Sequence, residues 1–105
     1  MSSLKLILLV LSLFASPAWG QSEVEQGRLL VQANCSRCHA IGPGDQSPHP
    51  DAPPFRTLSD RYPFDSLAER LEKGFPTGHS DMPDFLATAS QIDEIIAYII
   101  SLQSQ

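Results

Sequence analysis

The sequence predicts a small, all-α domain, and three observations carry that expectation. In the last segment Ile92, Ile95, Ile96, Ile99 and Leu102 recur at helical intervals. A second periodic stretch, Val24, Gly27, Leu30 and Val31, leads directly into Cys35. No stretch alternates apolar and polar residues as a half-buried strand would, and no internal repeat is visible.

Taken in order, Ser22-Glu23-Val24-Glu25 has the form of a capping box, so a helix of about three turns is expected to start there. Gly27 in its interior costs roughly 1 kcal/mol against Ala, which points to a close neighbour at that position. Residues 42–54 carry five prolines and no periodicity, the mark of a loop of fixed shape. Asp65 to Lys73 reads as a second helix with Phe64, Leu67 and Leu71 on one side, and Gly74 is placed to end it in a left-handed turn. Phe75 to Pro83 is again irregular. The final helix has Thr88 or Ser90 as candidate N-cap.

The opening twenty residues, MSSLKLILLVLSLFASPAWG, place Lys5 before an apolar run from Leu6 to Ala15 and end in small residues around Trp19. This is the pattern of a secretory signal peptide cleaved before Gln21, so residues 1–20 are expected to be leader and 21–105 the domain. The run is about half of the roughly 20 apolar residues that a membrane span needs, and no later stretch is longer. The mature chain would keep six Lys and Arg against twelve Asp and Glu. Such an acidic balance argues against nucleic acid and anionic membrane surfaces as partners.

About 85 residues make a marginal apolar core, and chains of this size often add a staple. The only staple available is Cys35-Ser36-Arg37-Cys38-His39, which holds both cysteines of the chain. A Cys35–Cys38 disulfide closes too short a loop to stabilise much. A thioredoxin-like dithiol expects a strand before the motif, and here a helix precedes it. Zinc needs four ligands, which would be Cys35, Cys38, His39 and one of His49 or His79, yet adjacent Cys38 and His39 point in different directions. Covalent haem uses all three residues: two sulfurs about one helical turn apart bond the macrocycle, and His39 is left to ligate iron. A large apolar macrocycle also adds core that the chain lacks.

The opposite face of such an iron is either open or filled. Met82 is the only methionine outside the leader and sits in the polar loop Gly78-His79-Ser80-Asp81-Met82-Pro83, an odd place for core filler. His79 and His49 are the rival ligands.

With these residues in place the chain resembles the class I c-type cytochromes, specifically the small exported bacterial monohaem members, from Gly27 to Leu102. Cys35, Cys38 and His39 match the attachment motif, Met82-Pro83 matches the methionine loop, and Ala97-Tyr98-Ile99 resembles the family's C-terminal helix. The resemblance implies the cytochrome c fold, with the N- and C-terminal helices packed together around one covalently bound haem c. It implies His39 and Met82 as axial iron ligands. It also implies a proline carbonyl that receives the Nδ proton of His39, for which Pro53 is the first candidate and Pro54 the second.

The expected function is one-electron transport in the bacterial periplasm, the iron cycling between ferric and ferrous states, without enzymatic activity. Partners would be a redox donor and an acceptor docking briefly at the haem edge, a periplasmic dehydrogenase among the candidates. A small haem peroxidase or gas-binding protein with an open sixth position is the contrasting reading. His79 would supply half of a distal His-Arg pair there, but no arginine lies in its loop.

Overall fold

The computed structural model describes residues 19–74 and 82–103. Most of the expected leader, and His79 with its neighbours, therefore lie outside the described residues. Within them the chain is helical and contains no strand. Helix α1 spans Trp19–Asn34, α2 spans Phe64–Lys73, and α3 spans Ala89–Gln103, with a short 3-10 helix at Phe55–Asp60 between α1 and α2.

Helix α1 carries its expected face inward: Val31 is fully buried, and Val24 and Leu30 pack against the core. Its start differs from the expectation. Ser22 lies one turn inside the helix, and the Glu25 carboxylate bonds forward to Arg28 instead of reaching back to Ser22. The physical reason is that helical backbone from Trp19 already supplies carbonyls to the amides of residues 23–25, so no side chain has to cap them.

Gly27 is the point at which α1 crosses α3. A Cβ there would overlap the Glu94 carbonyl oxygen and approach Tyr98 Cβ to 2.9 Å. Only a residue without a side chain lets the two backbones come this close, which accounts for a glycine in mid-helix. Around the crossing, Val31, Ile95, Tyr98, Ile99 and Leu102 form one buried cluster with Phe55, Leu58 and Leu67.

The 3-10 helix was not foreseen. Its origin is local: Pro54, with φ −61° and ψ 143°, directs the chain into a turn, and both the amide and the hydroxyl of Thr57 donate to the Pro54 carbonyl at 3.0 Å. Phe55 and Leu58, three apart, then face the core together.

Helix α2 begins one residue earlier than expected and buries Leu67, with Phe64 and Leu71 half-buried beside the core. Gly74 ends it with φ +92°, a region that glycine tolerates, while its N–H donates to the Arg70 carbonyl at 2.7 Å. Its ψ of 168° sends the chain out extended instead of completing a left-handed turn.

Of the two candidate caps of α3, Thr88 is the one used. The Gln91 amide donates to Thr88 Oγ1 at 3.2 Å, and the Thr88 amide donates to Gln91 Oε1 at 3.0 Å, a reciprocal capping box. Ser90 falls inside the helix.

Two substitutions test these contacts by denaturant unfolding of the purified protein. Gly27→Ala gains up to about 1 kcal/mol of helix propensity but drives a methyl into backbone that cannot yield, and is expected to destabilise by about 1–3 kcal/mol net. Thr88→Ala removes the cap and is expected to cost about 1 kcal/mol.

Candidate haem site

The attachment turn grows out of the end of α1. The Val31 carbonyl accepts from the amides of Cys35 at 2.8 Å and Ser36 at 3.1 Å, so the helix passes without a break into the motif. The Cys35 carbonyl then accepts from Cys38 at 3.2 Å and from His39 at 3.0 Å. These bonds wind residues 35–39 into a tight turn that carries both thiols, each half-buried and unbridged.

His39 is held on one side of its ring. Nδ1 lies 2.8 Å from the Pro53 carbonyl oxygen, which can only accept, so Nδ1 carries the proton and Nε2 keeps its lone pair. No hydrogen bond to Nε2 occurs among the described residues. Phe55 stands beside the ring, with centroids 5.0 Å apart and planes inclined by 45°. An imidazole fixed through one nitrogen with the other free is the arrangement of a metal-ligating histidine.

The proline-rich loop wraps back onto this turn. The Ala40 amide donates to Ser47 Oγ at 2.9 Å, the His49 amide to the Cys38 carbonyl at 3.1 Å, and the Phe55 amide to the Ala40 carbonyl at 2.9 Å. Farther out, Asp45 accepts from the Gly42 amide through its carboxylate and from Arg56 through its carbonyl. From the other side of the molecule, the Tyr98 hydroxyl donates to the Ile41 carbonyl at 2.6 Å.

Met82 is placed differently. It is the first described residue after 75–81, lies in the non-helical segment leading to α3, is 40% exposed, and takes no part in the core cluster. Cys35, Cys38, His39 and Pro53 are thus gathered in one lobe, whereas Met82 lies outside the buried cluster.

The rival chemistries fare poorly on the same geometry. Among the described residues, no three of the His, Cys, Asp and Glu side chains converge as a metal site would require, so Cys35, Cys38, His39 and His49 do not make a zinc set. Burial pushes the Cys35 thiol up to about 11, the opposite direction from the activated thiolate of a redox dithiol. A half-buried neutral thiol beside a fixed imidazole fits a sulfur consumed in a thioether bond.

Three contributors to the site went unnoticed in the sequence. Phe55 was signalled only by its place after Pro53-Pro54. In the sequence Tyr98 marks only a helix, with no sign of the loop carbonyl it reaches. Ser47 gave no signal, since a serine among prolines is ordinary loop composition. A cavity of about 470 Å³ lies elsewhere, bounded by α2 and residues 87–93, and takes none of its walls from the Cys35–Ala40 turn.

Comparison with known proteins agrees with this geometry. Residues 22–99 match the model of the family described as cytochrome C oxidase, cbb3-type, subunit III. A cytochrome c-552 of Bradyrhizobium diazoefficiens is 30% identical over 98 residues, covering 92% of each chain. No solved structure matches the chain. The match takes in the motif, α2, and most of α1 and α3 with their crossing, so the chain belongs to this family and is a small c-type cytochrome with covalently bound haem c.

Proposed function

We propose that the protein is a soluble one-electron carrier of the bacterial periplasm, holding one haem c with His39 and Met82 as its axial ligands. The observation that carries this reading is the His39 ring itself, with Nδ1 bonded to Pro53 and Nε2 left as a ligand. When bound, the haem supplies an iron that alternates between ferric and ferrous states at a potential set by its ligands and burial.

The chain's own residues do the rest. Cys35 and Cys38 tether the macrocycle through two thioethers, so it is not lost when the protein meets a partner. Pro53 fixes the plane of the His39 ring and raises its basicity as a ligand. Phe55, buried beside the imidazole, would shield that ring from water. Met82, exposed in the segment that leads to α3, would supply the sulfur of the second ligand. Holding the same two side chains in both oxidation states limits rearrangement and leaves no position for a substrate, which makes this a carrier and not an enzyme.

Redox partners dock briefly, through small interfaces. The acidic balance of the mature chain favours partners with basic surfaces around their own electron-exit sites. Among the described residues no helix is long and apolar enough to cross a membrane, which is consistent with a diffusing carrier once residues 1–20 are removed.

Two measurements test the reading. The intact mass of the periplasmic protein should equal residues 21–105 plus one haem, retained under denaturing and reducing conditions, and the Cys35→Ser/Cys38→Ser variant should lose the haem. The oxidised protein should show the weak long-wavelength band of sulfur-ligated ferric haem. Met82→Ala should abolish that band and let the reduced protein bind carbon monoxide; a parent that already lacks the band would remove Met82 from the iron.

A further inference from the structure

The backbone that follows His39 is bonded on every side by groups that belong neither to the attachment motif nor to the methionine loop. We propose that Tyr98 and Ser47 are positioning residues for His39, bracing Ala40 and Ile41 so that the imidazole keeps its bond to Pro53. This inference rests on the proposed role of His39 as an iron ligand and is independent of Met82.

The geometry behind it is a frame with two supports. On one side Ser47 Oγ accepts the Ala40 amide at 2.9 Å, and the adjoining His49 amide holds the Cys38 carbonyl, so the residues flanking His39 are both tied to the loop. On the other side the Tyr98 hydroxyl donates to the Ile41 carbonyl at 2.6 Å. Burial raises the Tyr98 phenol above its ordinary value, so it is protonated and donates throughout the physiological range. Tyr98 is itself immobilised, because its Cβ lies against the Gly27 crossing and its ring is buried. The Ala40 carbonyl, between these supports, accepts from Phe55, whose ring stands beside that of His39. Neither hydroxyl touches the imidazole. Each fixes the backbone from which it projects, and the Nδ1–Pro53 bond across the loop requires that backbone to stay in place.

The test reads the His39 Nδ1 proton directly, by hydrogen exchange in the ferrous holoprotein followed by NMR. Tyr98→Phe and Ser47→Ala each remove one support and are expected to speed exchange of that proton roughly fivefold, as loss of a hydrogen bond of about 1 kcal/mol would. Ser47→Thr keeps the hydroxyl and should restore the parent rate. Ile95→Val serves as the control, since it trims the core and removes neither hydroxyl; there the Nδ1 proton and the buried amides of α3 should accelerate together. Should Tyr98→Phe accumulate poorly, Ser47→Ala, a change in a surface loop, decides the question. Unchanged Nδ1 exchange in the variants, or acceleration only in parallel with the α3 amides as in Ile95→Val, would overturn the proposal. The sulfur band is read on the same samples and moves independently: its absence dismisses Met82 as a ligand, whereas an unaltered Nδ1 rate dismisses the brace.

Discussion

The close crossing of α1 and α3 at Gly27 is the constraint from which the remaining structure follows. Because Gly27 presents no side chain, the Glu94 carbonyl and Tyr98 Cβ can lie directly against the α1 backbone. That approach buries Val31 against Ile95, Ile99 and Leu102 and fixes the direction in which α1 delivers its last turn. The attachment motif is the continuation of that turn, through the paired bonds to the Val31 carbonyl. A shift in the crossing would therefore move Cys35 and Cys38 as well as the core. It would also move Tyr98, whose hydroxyl is the second link between the crossing and the motif.

The residues proposed to hold the iron are placed by different means. The lobe around His39 is a network of main-chain and hydroxyl hydrogen bonds that fixes the imidazole through Nδ1. Met82, the proposed second ligand, lies outside the buried cluster. A binding site whose ring is already held by the fold loses less ordering entropy on loading.

Much of this was legible in the sequence, where periodicity and chemistry coincide. The stripe from Ile92 to Leu102 and the Val24–Val31 face are long enough to outweigh local ambiguity, and Gly27 announced its close neighbour because nothing else excuses a glycine there. Cys35, Cys38 and His39 were legible because their spacing has few other uses. The start of α1 was misplaced because a capping box marks a helix end only where no helical backbone precedes it. The 3-10 helix was missed because its two buried residues, Phe55 and Leu58, are too few to show a period. Ser47 and Tyr98 were illegible as supports, since a hydroxyl's partner 7 or 57 positions away leaves no trace in a linear pattern.

Those same separations have a bearing on how the molecule comes together. The bonds that organise the motif join residues no more than 15 positions apart, whereas the Tyr98 hydroxyl closes across 57. Short loops close early and at low entropic cost, and contacts of low sequence separation form fastest. The lobe around His39 can thus acquire its shape while the two ends of the chain are still apart, open to whatever machinery delivers the cofactor. The helix crossing, and the Tyr98 bond that depends on it, then add the long-range support.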